Sequence, residues 1–97
     1  MTINKELNGK AAAVSVSGRL DSNTSTELEK VFQELLDLDS VTVDFAGLEY
    51  ISSAGLRVLL SVHKMFASKG GLTILNAREA VLDIFEVTGL MDILNVK

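Results

Sequence analysis

The sequence predicts an α/β fold built on a mixed, mostly parallel sheet of four or five strands, on three observations. Strand-like and helix-like patterns take turns along the chain in the order β, β, α, β, α, β, α, with a short last segment able to add a strand. Such alternation implies parallel strands joined by right-handed helical crossovers. Asn8-Gly9 between the first two strands is a hairpin turn signal, so one edge strand is expected to run antiparallel. The length of 97 residues, 47% hydrophobic and without proline, suits one core and therefore a single domain over residues 1 to 97.

The elements follow in order. Residues 2 to 7 and 11 to 17 read as the hairpin strands around Asn8-Gly9-Lys10; in the second, Val14 and Val16 alternate with Ala13, Ser15 and Ser17 until Gly18 breaks the run. From Thr24 the period changes: Leu28, Val31, Phe32, Leu35 and Leu36 recur at helical spacing, and Thr24-Ser25-Thr26-Glu27 fits a capping box, giving a helix over 24 to 37. Val41-Thr42-Val43-Asp44-Phe45 is a third strand bounded by Ala46-Gly47. A second helix over 53 to 68 carries Leu56, Val58, Leu59, Leu60, Val62, Met65 and Phe66 on more than one stripe, as a deeply seated helix does, and stops at Lys69-Gly70-Gly71. Residues 72 to 75 form the fourth strand. Val81, Leu82, Ile84 and Phe85 mark a third helix closed near Gly89, and 91 to 96 adds a helical turn and an edge strand.

Composition narrows function. Nothing at the N-terminus resembles a secretion signal and no apolar run approaches the ~20 residues of a membrane span, so a cytoplasmic domain without direct membrane insertion is expected. Without cysteine there is no thiolate chemistry, and a lone histidine cannot build a His-based metal cluster; no cofactor or metal is expected. Nine Lys and Arg, dispersed among thirteen Asp and Glu, give a net charge of −4 and argue against nucleic acid.

The candidate site is the junction Glu49-Tyr50-Ile51-Ser52-Ser53-Ala54-Gly55-Leu56-Arg57, where two hydroxyls stand at a helix start. The ordinary role of such serines is to cap the free N–H groups there; the functional one is to carry a phosphate at the same place. Loops after parallel strands collect at one sheet edge, which is expected to bring Asp21, Asp44 and Ser52-Ser53 together. The two aspartates read first as loop-ordering acceptors. A serine nucleophile needs a base, and His63 lies ten residues beyond Ser53, roughly 15 Å of helical rise; it reads as a helix-surface or core-edge residue, and an enzyme using Ser53 with Asp21 or Asp44 is a remote alternative. The glycine and lysine of a P-loop are missing, and the Lys and Arg residues read as solvated.

Three motifs in order carry a resemblance. Gly18-Arg19-Leu20-Asp21 before a Thr/Ser-rich helix start, Val43-Asp44-Phe45-Ala46-Gly47-Leu48-Glu49-Tyr50-Ile51-Ser52-Ser53-Ala54-Gly55-Leu56, and Phe85-Glu86-Val87-Thr88-Gly89-Leu90 together resemble the STAS domain family, and within it the bacterial anti-sigma factor antagonists. The resemblance covers essentially the whole chain. It implies strands in sequential order and a partner-switching, non-enzymatic role in transcription regulation. The unmodified protein, a monomer when free, would capture an anti-sigma factor that is also a serine kinase and so release a sigma factor; phosphorylation would end capture, and a serine phosphatase would reset it. Aligned on Gly55-Leu56, the phosphoacceptor falls on Ser53, with Ser52 the second choice. The implied partner surface is Asp21, Ser22, Asn23, Thr24, Asp44, Ser52, Ser53, Ala54, Gly55 and Arg57. Ser52 stands where many members carry Asp, and Ala54 where they carry Ser or Thr. The alternative within the family is a STAS scaffold subunit of a phospholipid ABC-type membrane transporter, with no phospho-switch.

Overall fold

The computed structural model describes all 97 residues. Five strands, β1 (Thr2–Asn8), β2 (Ala11–Leu20), β3 (Ser40–Ile51), β4 (Leu72–Leu75) and β5 (Asn95–Val96), form one sheet in sequential order. β1 runs antiparallel to β2, and every other pairing is parallel. Between them stand α1 (Ser25–Gln33), α2 (Ser53–Met65) and α3 (Glu79–Thr88), with 3₁₀ turns at Ala67–Lys69 and Leu90–Asp92. The fold class, the antiparallel hairpin and the closing turn plus edge strand are as the sequence predicts.

The sheet is buried on one side only. Along β2, Ala12, Val14 and Val16 are buried while Ala13, Ser15 and Ser17 are exposed, the alternation of a strand with one wet face. The core between sheet and helices takes in all four phenylalanines, and Phe32 of α1 meets Phe66, just past α2, edge to face with ring centroids 6.4 Å apart. α2 buries Leu59 and Val62 fully and Val58 nearly so, and half-buries Leu56, Leu60 and Met65, which accounts for its broad apolar pattern.

Four boundaries differ from expectation. β2 continues through Gly18, whose φ of 97° accommodates a register shift instead of ending the strand. β3 likewise passes Ala46-Gly47 and reaches Ile51, because Gly47 has no side chain to strike Ser17; a Cβ there would lie 2.7 Å from the Ser17 Cβ. α1 stops at Gln33 rather than 37: the chain tightens to Leu35 N–H···O=C Phe32 and Leu38 N–H···O=C Leu35, and the Lys69 ammonium donates to the carbonyls of Leu36 and Leu38. α2 ends at Met65 and gives way to the 3₁₀ turn before Gly70, which has the left-handed φ of 94°.

Candidate functional site

The site forms where β2 and β3, paired as far as Leu20 and Ile51, release their chains together. Ser52 N–H donates to Leu20 C=O at 2.9 Å, so the start of α2 is tied to the end of β2. Ser52, with extended backbone (φ −93°, ψ 173°), is the N-cap: its Oγ accepts from Gly55 N–H at 3.2 Å and its carbonyl from Leu56 N–H at 2.9 Å. Ser53 is the first helical residue. It is exposed, and its hydroxyl has no partner within the chain. The two serines thus divide the two readings between them: Ser52 caps, and Ser53 is left free. Ala54 is half-buried and Gly55 buried; a Cβ on Gly55 would sit 2.9 Å from Ile51 Cγ1 and from Leu20 Cγ.

Asp21 organises the neighbouring turn. Its Oδ1 accepts from the N–H groups of Asn23 and Thr24, both at 3.0 Å, and its carbonyl accepts from Ser25 N–H at 2.9 Å. Thr24 Oγ1 accepts from Asp21 N–H at 2.9 Å and donates to the Arg19 carbonyl at 2.8 Å. The expected capping box is therefore absent: Thr24 caps nothing in α1 with its side chain, and Asp21, three residues earlier, takes the free N–H groups of the preceding turn. The Thr24 N–H, then the Asn23 N–H and the nearby Arg19 charge hold the Asp21 carboxyl below its ordinary value. Oδ1 receives these bonds, and Oδ2 has no partner within the chain. Ser22 and Asn23 are exposed beside it.

Asp44 does not join this cluster. It lies seven residues before Ile51 in the middle of β3, on the order of 20 Å back along the strand at the usual rise, paired with Ser15 and Leu75. Its Oδ1 accepts from Ala46 N–H at 2.8 Å and its Oδ2 from the Asn76 side chain at 3.1 Å. The expectation of a shared edge fails because β3 extends so far beyond β4. Asp44 orders the β3 irregularity and the turn after β4. His63 is equally structural: Nδ1 accepts from the buried Leu72 N–H at 3.1 Å.

The structure adds to the site Arg19, which reads from the sequence as one more solvated cation. The Arg19 guanidinium stands 4.1 Å from the centroid of the Tyr50 ring, with Arg19 and Tyr50 paired across β2 and β3 one residue before the strands end. The register was the missing signal, since Gly18 was expected to end the strand before Arg19. Arg57, one helical turn beyond Ser53, is exposed and without an ion pair, the one such pair in the chain being Lys5–Glu34. No three His, Asp or Glu side chains come close enough to hold a metal ion, and no helix is long and apolar enough to cross a membrane.

The arrangement offers a free hydroxyl, a half-open carboxylate and two cations at one exposed edge, with no base beside the hydroxyl. It suits a group that is recognised or modified rather than one that catalyses. Known proteins resemble the chain in sequence and in fold. An anti-sigma-B factor antagonist of Staphylococcus epidermidis is 33% identical over 86 residues, covering 86% of this chain and 80% of that protein. The structure of an anti-sigma factor antagonist from Mycobacterium paratuberculosis superposes with a TM-score of 0.87 at 23% identity, over 98% of this chain and 83% of that one. The Bacillus cell fate determinant SpoIIAA in its phosphorylated form superposes with a TM-score of 0.77 at 15% identity, over 99% and 91% of the respective chains. Such relatives are regulators and not enzymes. The family profile described as "Mlab, STAS domain" matches residues 3–95, and the chain belongs to the STAS domain family.

Proposed function

We propose that the chain is an anti-sigma factor antagonist whose unmodified form binds an anti-sigma factor that is also a serine kinase, and whose phosphorylation on Ser53 ends that binding. One observation carries the reading: Ser53 is exposed and unbonded at the helix start while Ser52 supplies the cap, so a phosphate can be added without dismantling the helix end. The name of the Staphylococcus relative supports the partner class, and the phosphorylated SpoIIAA structure supports a fold that accommodates the modification. In the transfer, Ser53 Oγ bonds to the γ-phosphorus of a nucleoside triphosphate. The bond to the bridging oxygen breaks, the nucleoside diphosphate leaves and the hydroxyl proton passes to a base on the kinase. A phosphatase reverses the state by directing water at the same phosphorus and releasing inorganic phosphate.

The chain is then a cytoplasmic ligand and substrate, monomeric when free. The contact surface is the edge formed by Asp21 to Thr24, Ser52 to Ala54 and Arg57; Gly55, expected on it from the sequence, is buried against the strand ends and seats the turn from beneath. Adding about −1.5 to −2 charge there opposes docking by repulsion and by the need to desolvate the new group. Mass spectrometry of the protein purified from its own cells tests this: phosphate on Ser53 is expected, and phosphate only on Ser52 or elsewhere overturns the assignment.

The description of the matching family profile favours one second reading, a scaffold subunit docked through the same edge on a phospholipid ABC-type transporter. Co-purification separates the two. A serine kinase is expected on the first reading, an ATPase and permease on the second.

A further inference from the structure

Ser53 and Arg57 are four residues apart on α2, so their side chains rise from adjacent turns of one helix face with Cβ atoms ~6 Å apart. Both are exposed and neither has a partner in the chain. α2 is also the one helix with no acidic residue in its first turn; α1 has Glu27 there and α3 has Glu79. The other cation at this edge, Arg19, is already engaged, its guanidinium on the Tyr50 ring and its charge acting on Asp21.

We propose that Arg57 is the positioning residue for a phosphate on Ser53, closing a clamp within α2 that takes the guanidinium away from the partner. The proposal rests on the reading of Ser53 as the phosphoacceptor. A phosphoserine presents three acceptor oxygens, and the planar guanidinium can meet two of them with parallel N–H donors, a stronger bond than the compact ammonium of lysine provides. In the unmodified protein Arg57 is a free cation on the contact surface. After modification its charge is neutralised internally, so the partner loses a cation at the moment it meets an anion. One phosphate thereby changes two recognition elements while the backbone stays where it is.

The test installs phosphoserine at position 53 during translation, which needs no kinase, and follows the second ionisation of the phosphate by phosphorus NMR at low salt. The charged groups around it are Arg19 and Asp21 at the end of β2, Glu49 on β3 and Arg57 on α2. Arg57→Gln is expected to raise that pKa by roughly half a unit, about threefold in the acid constant, and Arg57→Lys to restore part of the shift. Arg19→Gln should move it less. The Arg57 Nε–H resonance should shift as the phosphate titrates, and circular dichroism should show every variant folded. An unchanged pKa in Arg57→Gln, or a larger change in Arg19→Gln, overturns the clamp. Because the phosphate is placed by translation, failure of the clamp is distinct from failure of the function. A Ser53 that carries no phosphate in cells overturns the proposed function and leaves the titration intact.

Discussion

At the scale of single residues, the division of labour between Ser52 and Ser53 separates the stabilising cap from the hydroxyl proposed to carry the phosphate. Ser52→Ala removes the Oγ acceptor of Gly55 N–H and should cost about 1 kcal/mol in urea unfolding. Ser53→Ala should stay within about 0.5 kcal/mol of the parent, having no bond to lose, yet abolish the phosphopeptide. Asp21 adds a pH dependence whose sign follows from its lowered pKa. The folded state favours the carboxylate, so the stabilisation is complete above the ordinary value of 3.8 and is lost as pH falls through the lower folded value. Asp21→Asn should therefore flatten the acid limb of the stability profile below that pH and leave the neutral region without this dependence, as measured by urea midpoints across an acid series. The adjacent serines were legible in sequence, and their register against Gly55 pointed to Ser53. Which of the two caps was not legible, because either position is compatible with a helix start until the φ and ψ of Ser52 are known.

At the scale of elements, α2 is seated by two close approaches. Gly55 touches the strand ends with no room for a methyl group, its nearest neighbours being Ile51 and Leu20, so Gly55→Ala should destabilise by about 1–3 kcal/mol and displace the Ser53 turn. Equilibrium unfolding together with amide shifts of residues 50 to 57 would show both effects. At the far end, His63→Leu strands the buried Leu72 N–H and should cost about 1–3 kcal/mol by the same unfolding measurement. The helices were readable because apolar spacing is a local property, and Leu28 and Phe32 or Val58, Leu59 and Val62 show it plainly. Strand ends were not. Gly18 and Gly47 look like breakers alone, and only the approach of Ser17 to Gly47 across the ladder explains why both strands continue. The same hidden length misplaced Asp44, while Thr24-Ser25-Thr26-Glu27 matched a capping box that Asp21 had already pre-empted.

At the scale of the whole molecule, the sequential sheet and one-sided core make the Ser53 edge a rigid surface, so modification should be read by the partner without a change of fold. Ser53→Asp should remain folded and weaken partner binding by at least ~1.4 kcal/mol, tenfold, in calorimetric titration. On phosphorylation, amide shifts should concentrate at residues 21 to 25 and 50 to 57 while hydrogen-exchange protection along 56 to 68 persists; collapse of that protection would indicate an order–disorder switch instead. The strand order has a mechanical consequence as well. Thr2 lies opposite Ser17 at one margin and Val96 opposite Ile74 at the other, so tension between the two ends pulls across the strands and opens their ladders rung by rung, as a zipper, instead of shearing them together. β5, held through Thr73–Asn95 and Ile74–Val96, should peel away first at low force. The β2–β3 seam that leads into Ser52 is the longest ladder and lies inside the sheet, so a tethered molecule stretched in an optical trap should give a short initial extension with the Ser52–Ser53 edge still assembled.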